Sequence, residues 1–226
     1  MGLTPPSPAG RRCPAGAKGA GGLGLTSPPY VVGISGASGA ALARQAVEWL
    51  AGHGYPVIVT ASANAREIWR QELGEPLETA LTAWRSRDVR FYRPDDFAAP
   101  IASGSYPVAG MIVVPCSMGT AAAIASGLST NLLQRAADCC LKEGRRLVLV
   151  PRETPLSAIH LENLLKLARL GVAIVPPVPA FYTRPRDLDE VVAQVVGRAL
   201  SALGVPGALD SRFVYEGPAD SQDGQD

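Results

Sequence analysis

The sequence predicts an α/β fold: a Rossmann-like, doubly wound three-layer sandwich with a mostly parallel sheet, in a single domain. Three observations predict it. Short apolar runs recur along the chain, and they are continuously apolar rather than alternating, as strands covered on both faces require. Each main run is followed by a helical pattern, the β-α-β-α order of a doubly wound sheet. The first run, "YVVGI", passes straight into the glycine-rich turn "SGASGA" and then into a helix.

Each element has its own signature. After "YVVGI", the segment "GAALARQAVEWLAGHG" is rich in Ala and Leu and closed by glycines, so it reads as a helix with a defined stop. "PVIVTAS" is a second strand and "NAREIWRQEL" a second helix. "VRFY" is a short strand, and "GMIVVPCS" a strong one. "STNLLQRAADCCLKEG" is a helix with Ser/Thr at its start and Gly at its stop. "RLVLVP" is a further strand and "PLSAIHLENLLKLARLG" a further helix. "VAIVPP" is the last strand, and "DLDEVVAQVVGRALSALG" the last helix, capped by Asp. The folded domain is expected over residues 30–207. Residues 1–29 are dense in Gly, Pro, Ala and Ser and lack the apolar side chains that offset ordering entropy, so a disordered tail is expected there. A second tail, polar and acidic toward its end, is expected over residues 208–226.

Composition excludes several function classes. The chain has 226 residues, 47% hydrophobic and 18% charged, enough for a sizeable core. That charge content is low for a monomer that must cover its surface with polar groups, and buried subunit interfaces are one explanation. Twenty-one basic and 20 acidic side chains leave a formal net charge of +1, which supports neither nucleic acid nor a membrane surface as a partner. No apolar run reaches the ~20 residues of a membrane span, and the twin arginine of "RRCPAG" has no apolar segment after it. Cys13, Cys116, Cys139 and Cys140 form no CxxC pair, and His53 and His160 form no HExxH, so no metal site is expected. A reducing, cytoplasmic location is the corresponding expectation.

The glycine turn poses the chemical question. A helix N-terminus after such a turn offers N–H groups and a positive dipole end to a phosphate. The spacing Gly33-x-x-Gly36-x-x-Gly39 is not the dinucleotide GxGxxG, and Ser62 stands where an acidic ribose ligand would close the second strand. A nicotinamide cofactor is disfavoured. Flavin mononucleotide, with one phosphate and no adenosine ribose, remains compatible. Three other loops leave strand ends with polar groups: "VPCSMGT" with Ser117, Gly119 and Thr120, "VPRETPLS" with Arg152 and Glu153, and "VPPVPAFYTRP" with Tyr182 and Arg184. Strand ends of one edge are where such sheets bind ligands. Arg135 and Lys142, two turns apart, project from one helix face. Glu72, by itself, reads as a helix-end surface carboxylate.

Jointly, "GISGASGA", "VPCSMGT", the run from "STNLLQRAADCC" to "LENLLKLARLG" and "PAFYTRP" resemble the UbiX-type flavin prenyltransferases, flavoproteins of the superfamily of homo-oligomeric flavin-containing cysteine decarboxylases. The resemblance spans about residues 31–206. It implies transfer of a dimethylallyl group, usually from dimethylallyl monophosphate, to N5 and C6 of reduced FMN, without a metal; the sequence itself does not distinguish the monophosphate from the diphosphate. The product, prenylated FMN, would serve a UbiD-type decarboxylase. The assembly would be a dodecamer with sites shared between subunits. Matched to the family, Gly36, Ala37, Ser38, Ser62, Ser117, Met118, Gly119, Thr120 and Arg152 would bind FMN. Arg135, Lys142, Tyr182 and Arg198 would bind the dimethylallyl phosphate, and Ser38, Glu72, Lys142 and Glu153 would take part in the chemistry. Two alternatives stand beside this reading. An FMN-dependent cysteine decarboxylase-like enzyme is disfavoured by the lack of a His on the first helix and by "PCSMGT" in place of an Asn-containing loop. A non-catalytic FMN-binding protein is disfavoured by the presence of Lys142, Glu153 and Arg198.

Overall fold

The computed structural model describes residues 27–214. Most of the two expected tails, and Cys13, therefore lie outside the described residues. At the near ends of the tails the chain is tied down. The Pro29 carbonyl accepts from the Ala109 N–H. Ala208 is buried in the core, and Asp210 caps the short turn Ser211–Phe213, so packed chain continues past residue 207.

The strands are β1 (Tyr30–Ile34), β2 (Val57–Ala61), β3 (Val89–Tyr92), β4 (Gly110–Cys116), β5 (Leu147–Pro151) and β6 (Ala173–Ile174). The helices are α1 (Ala40–Gly52), α2 (Ala63–Leu73), α3 (Leu77–Trp84), α4 (Met118–Ala125), α5 (Leu132–Lys142), α6 (Ala158–Arg169) and α7 (Leu188–Leu203). The sheet runs β3-β2-β1-β4-β5-β6, and every pairing is parallel. It is thus wholly parallel, where the sequence predicts a mostly parallel sheet.

The apolar runs explain the layering. β1, β2, β4 and β5 are buried along their whole lengths. Alternate residues serve opposite faces. Val32, Ile34, Val57 and Val59 join a core with α1, α2, α3 and α7, whereas Val31, Ile58, Met111 and Val113 join a second core with α4, α5 and α6. β6 is cut to two residues because the prolines of "VPP" offer no N–H to extend the ladder.

Two helices appear where the sequence pattern predicts none. In α3, Leu77, Ala80 and Trp84 form the buried stripe. In α4, "MGTAAAIA" is almost uniformly small and apolar, so it carries no polar face by which to be recognised. The start of α5 also shifts. Its cap is Asn131, not the preceding Ser or Thr, and the Asn131 Oδ1 accepts from the Gln134 N–H at 3.0 Å.

Strand order reverses between β1 and β4. The chain leaves β1 toward one face and β4 toward the other, and a crevice opens beyond their C-terminal ends. α7 closes the opposite core through Gly197, where a Cβ would stand 2.9 Å from the Ala208 carbonyl oxygen. Helix propensity alone would favour Gly197→Ala by about 1 kcal/mol. The neighbour here is backbone and cannot swing aside. We expect Gly197→Ala to lower stability by about 1–3 kcal/mol in denaturant unfolding. A more stable variant would refute this packing account.

Candidate functional site

The crevice is fixed first by Ser35, the residue after β1, which is buried. Its hydroxyl donates to the Pro115 carbonyl at 2.9 Å and accepts from the Ser117 N–H at 2.7 Å. One side chain thereby joins the diverging ends of β1 and β4. Ser117, so placed, caps α4. Its Oγ accepts from the Thr120 N–H at 3.2 Å and donates to Thr120 Oγ1 at 3.0 Å.

Between the ends of β1, β2 and β4 lies a cavity of about 260 Å³ lined by Gly36, Ser62, Asn64, Ser117, Gly119, Thr120 and Gln134, with Ala63. Its walls are small, polar and uncharged. Gly36 permits the close approach of the β1 turn to α2, since a Cβ there would lie 2.5 Å from Asn64 Cβ. The N-termini of α2 and α4 both face this space. Ser62 is the cap residue of α2, yet its hydroxyl makes no bond to that helix. It is left for whatever enters the cavity. Ala37 and Met118 are buried beside it and contribute packing and backbone.

A second cluster stands at the N-terminus of α1. The Glu72 carboxylate, near the end of α2, accepts from the Gly39 N–H at 2.9 Å and the Ala40 N–H at 2.7 Å. The Ser38 hydroxyl bonds to it as well, and Arg152 lends positive charge. The expectation of free N–H groups at this glycine turn is therefore corrected: Gly39 and Ala40 are already engaged. The expectation of Glu72 as a plain surface carboxylate falls with it. Partial burial pushes the Glu72 carboxyl upward, but the bonds from Ser38, Ala40 and Gly39, with the Arg152 charge, outweigh it. The net effect holds the carboxyl below its ordinary 4.5.

The remaining expected residues are gathered elsewhere. Arg135 Nε donates to the Ala102 carbonyl at 2.9 Å, and its guanidinium pairs with Asp138 at 2.7 Å. Lys142 pairs with Glu143 and lies against Gly104, where any Cβ would collide with its ammonium. Both basic groups do project from one face of α5, against the segment of residues 102–104. Tyr182 and Arg198 line a separate groove of about 320 Å³ along α7, with Phe213 and Gln194. The buried Gln194 holds this groove's loop by accepting from the Ala180 N–H at 3.0 Å. Glu153, exposed after β5, accepts from its neighbour Thr154 at 3.0 Å. One chain thus unites Ser38, Glu72 and Arg152 in one cluster and Gly36, Ser62, Ser117, Gly119 and Thr120 in the cavity. It does not bring Arg135, Lys142, Glu153, Tyr182 or Arg198 into either. Sequence reasoning missed Ser35, Asn64, Gln134 and Gln194. The polarity of Ser35 at the end of an apolar strand was the one signal available. Among the described residues no group of His, Cys, Asp and Glu is placed to hold a metal, and no helix is long and apolar enough to cross a membrane.

Comparison with known proteins bears on this geometry. The model of the family described as Flavoprotein matches residues 24–200. A flavin prenyltransferase UbiX of Halalkalibacterium halodurans is 47% identical over 193 residues, covering 83% of this chain and 94% of that one. Among solved structures, a dodecameric FMN-dependent UbiX-like decarboxylase from Escherichia coli O157:H7 is 44% identical with a TM-score of 0.74, covering 78% of this chain and 94% of that one. AnUbiX (PadA1), in complex with FMN and dimethylallyl pyrophosphate, is 40% identical with a TM-score of 0.76, covering 81% and 96%.

Two outcomes are expected of the site residues. Ser35→Ala removes a partner from the Ser117 N–H, a buried donor, and is expected to cost about 1–3 kcal/mol in unfolding measurements. Stability equal to the parent would show that the bridge is dispensable. For Glu72 the depressed folded-state pKa fixes the sign. Its charge stabilises the fold above pH 4.5, the unfolded value, and that contribution is lost as pH falls through the folded one. Glu72→Gln is therefore expected to cost about 0.5–1 kcal/mol at pH 7 and much less at pH 3. A gap that stays constant between the two pH values would remove the charge from the account.

Proposed function

The chain belongs to the Flavoprotein family, and from that membership we propose that it is a flavin prenyltransferase of the UbiX type. It joins a dimethylallyl group to N5 and C6 of reduced FMN. The observation that carries the reading is the cavity where β1, β2 and β4 end, walled by two helix N-termini, with an uncommitted Ser62 hydroxyl and the Ser38–Glu72–Arg152 cluster on the neighbouring turn. These residues fit FMN. Uncharged donors and helix N-termini suit a phosphate and the polar edges of a flavin, and Gly119 leaves open space where a side chain would intrude. When bound, reduced FMN supplies the electron-rich atoms that take the prenyl carbon.

The chain's own residues do the rest. Gly36, Ala37, Ser38, Ser62, the segment 117–120 and Arg152 hold the flavin. Arg135, Lys142, Tyr182 and Arg198 bind the phosphate of the dimethylallyl donor. As the allylic C–O bond breaks, negative charge grows on that phosphate, and the three cations oppose it. Glu153 protonates the departing phosphate or holds the proton for it. Ser38, held by Glu72, passes on the proton released when the flavin ring re-aromatises. No metal takes part.

The donor-binding residues lie apart within one chain, which supports a homo-oligomer whose sites are completed by neighbouring copies, and the 44% identical Escherichia coli relative is a dodecamer. The surface agrees. On α6 only Leu167 is buried, while Ile159, Leu161 and Leu165 are exposed, and Val178, Phe181 and Leu188 are exposed near the Tyr182 groove. Such an apolar face on a chain of modest charge suits subunit contact. The free thiols Cys116, Cys139 and Cys140 suit the cytoplasm, and prenylated FMN would pass to a UbiD-type decarboxylase.

The test is mass spectrometry of flavin released after anaerobic incubation with reduced FMN and dimethylallyl monophosphate or diphosphate. The released flavin should be heavier by one isoprene unit. Glu153→Gln and Lys142→Ala should each slow its formation by about 100-fold or more. Unmodified FMN from folded, flavin-loaded protein with either donor would defeat the reading.

A further inference from the structure

Gln134 stands in the first turn of α5 and lines the flavin cavity. It is 8% exposed. Its Oε1 accepts from both the Thr130 N–H and the Thr130 hydroxyl, each at 2.8 Å. The backbone N–H can only donate, so the amide oxygen must face Thr130 and the NH2 must face away. That NH2 has no protein partner among the described residues. It is not sealed off from solvent, in contrast to Thr60 Oγ1 and Trp69 Nε1, which are fully buried and unpartnered. A nearly buried amide with a fixed orientation and two unused donors is costly unless something accepts from it.

We propose that the Gln134 side-chain NH2 donates to an acceptor oxygen of the flavin nucleotide in this cavity, making Gln134 a flavin-binding residue. The inference rests on the flavin prenyltransferase reading of the site. The acceptor is one of two kinds, a phosphate oxygen or an oxygen of the ribityl chain or ring. The competing account makes Gln134 only a helix-start residue, tying Thr130 to α5 in a relative of the capping box.

Gln134→Glu separates the two accounts. It keeps size and keeps an oxygen for Thr130, but it replaces the donor with an anionic acceptor. At pH 8 the dissociation constant for FMN, read from flavin fluorescence quenching, is expected to rise about tenfold or more. The thermal midpoint of the flavin-free protein should be unchanged. Riboflavin measured alongside locates the acceptor: a loss confined to FMN places it on the phosphate, and an equal loss for both places it on the ribityl chain or ring. Asn131→Ala is the control, because it removes the α5 cap and leaves the amide in place. FMN affinity unchanged in Gln134→Glu overturns the proposal, and so does an equal loss in Asn131→Ala. Failure of the parent protein to bind FMN would instead overturn the flavin reading, and this inference with it.

Discussion

The site depends on one constraint: two strand ends that part company must be held in register while their helices leave toward opposite faces of the sheet. In a parallel sheet the ladder stops at the ends of β1 and β4, and backbone pairing alone does not fix the loops beyond. Ser35 supplies the link. Its hydroxyl satisfies the Pro115 carbonyl and the Ser117 N–H together. A larger residue would not fit at a position so buried, and an apolar one would leave a donor unpaired. From Ser117 the order passes to α4 through Thr120. The placement of a whole helix N-terminus therefore traces back to one buried hydroxyl.

The architecture was legible in the sequence for a simple reason. A strand buried on both faces must be apolar at every position, and β1, β2, β4 and β5 are. Amphipathic helices announced themselves in the same way. α4 did not, because the helix is packed between the sheet and α6 and its run of alanines has no polar side to give a period. The site was legible only in part. The glycines and small hydroxyl residues of two loops stood out as a pattern. Glu72 stood out only through the family resemblance, since its partners Gly39 and Ala40 are more than thirty positions away in the chain. Gln134 was hidden for a related reason. The residues that make it significant are Thr130, which fixes its orientation, and the cavity wall, which only the folded chain creates.

Charge is distributed unevenly, and the distribution has consequences. The cavity has no charged lining residue, and the polar groups it presents are helix ends and neutral side chains. The basic groups sit at its margins or on other elements: Arg152 beside Glu72, Arg135 with Asp138, Lys142 with Glu143. Several of these cations have a carboxylate partner within the chain. A phosphate arriving at these cations would have to compete with those partners, and exposed pairs of this kind are weak enough to exchange. The arrangement keeps the cations oriented without burying unpaired charge.

The Glu72 carboxylate adds the last step. In a doubly wound fold the first strand-to-helix turn is the usual place for a phosphate, because the helix N-terminus presents unsatisfied donors. Here those donors already hold an anion that belongs to the protein. A phosphate could enter only by displacing Glu72, losing its bonds to Gly39 and Ala40 and placing two negative groups together. The N-terminus of α2 carries no such obstruction, since the Ser62 hydroxyl leaves its helix uncapped. With one helix end occupied and the α2 end left uncapped, an anion entering the crevice would meet free donors at α2. The same arrangement also holds the Ser38 hydroxyl against a carboxylate that stays ionised at neutral pH.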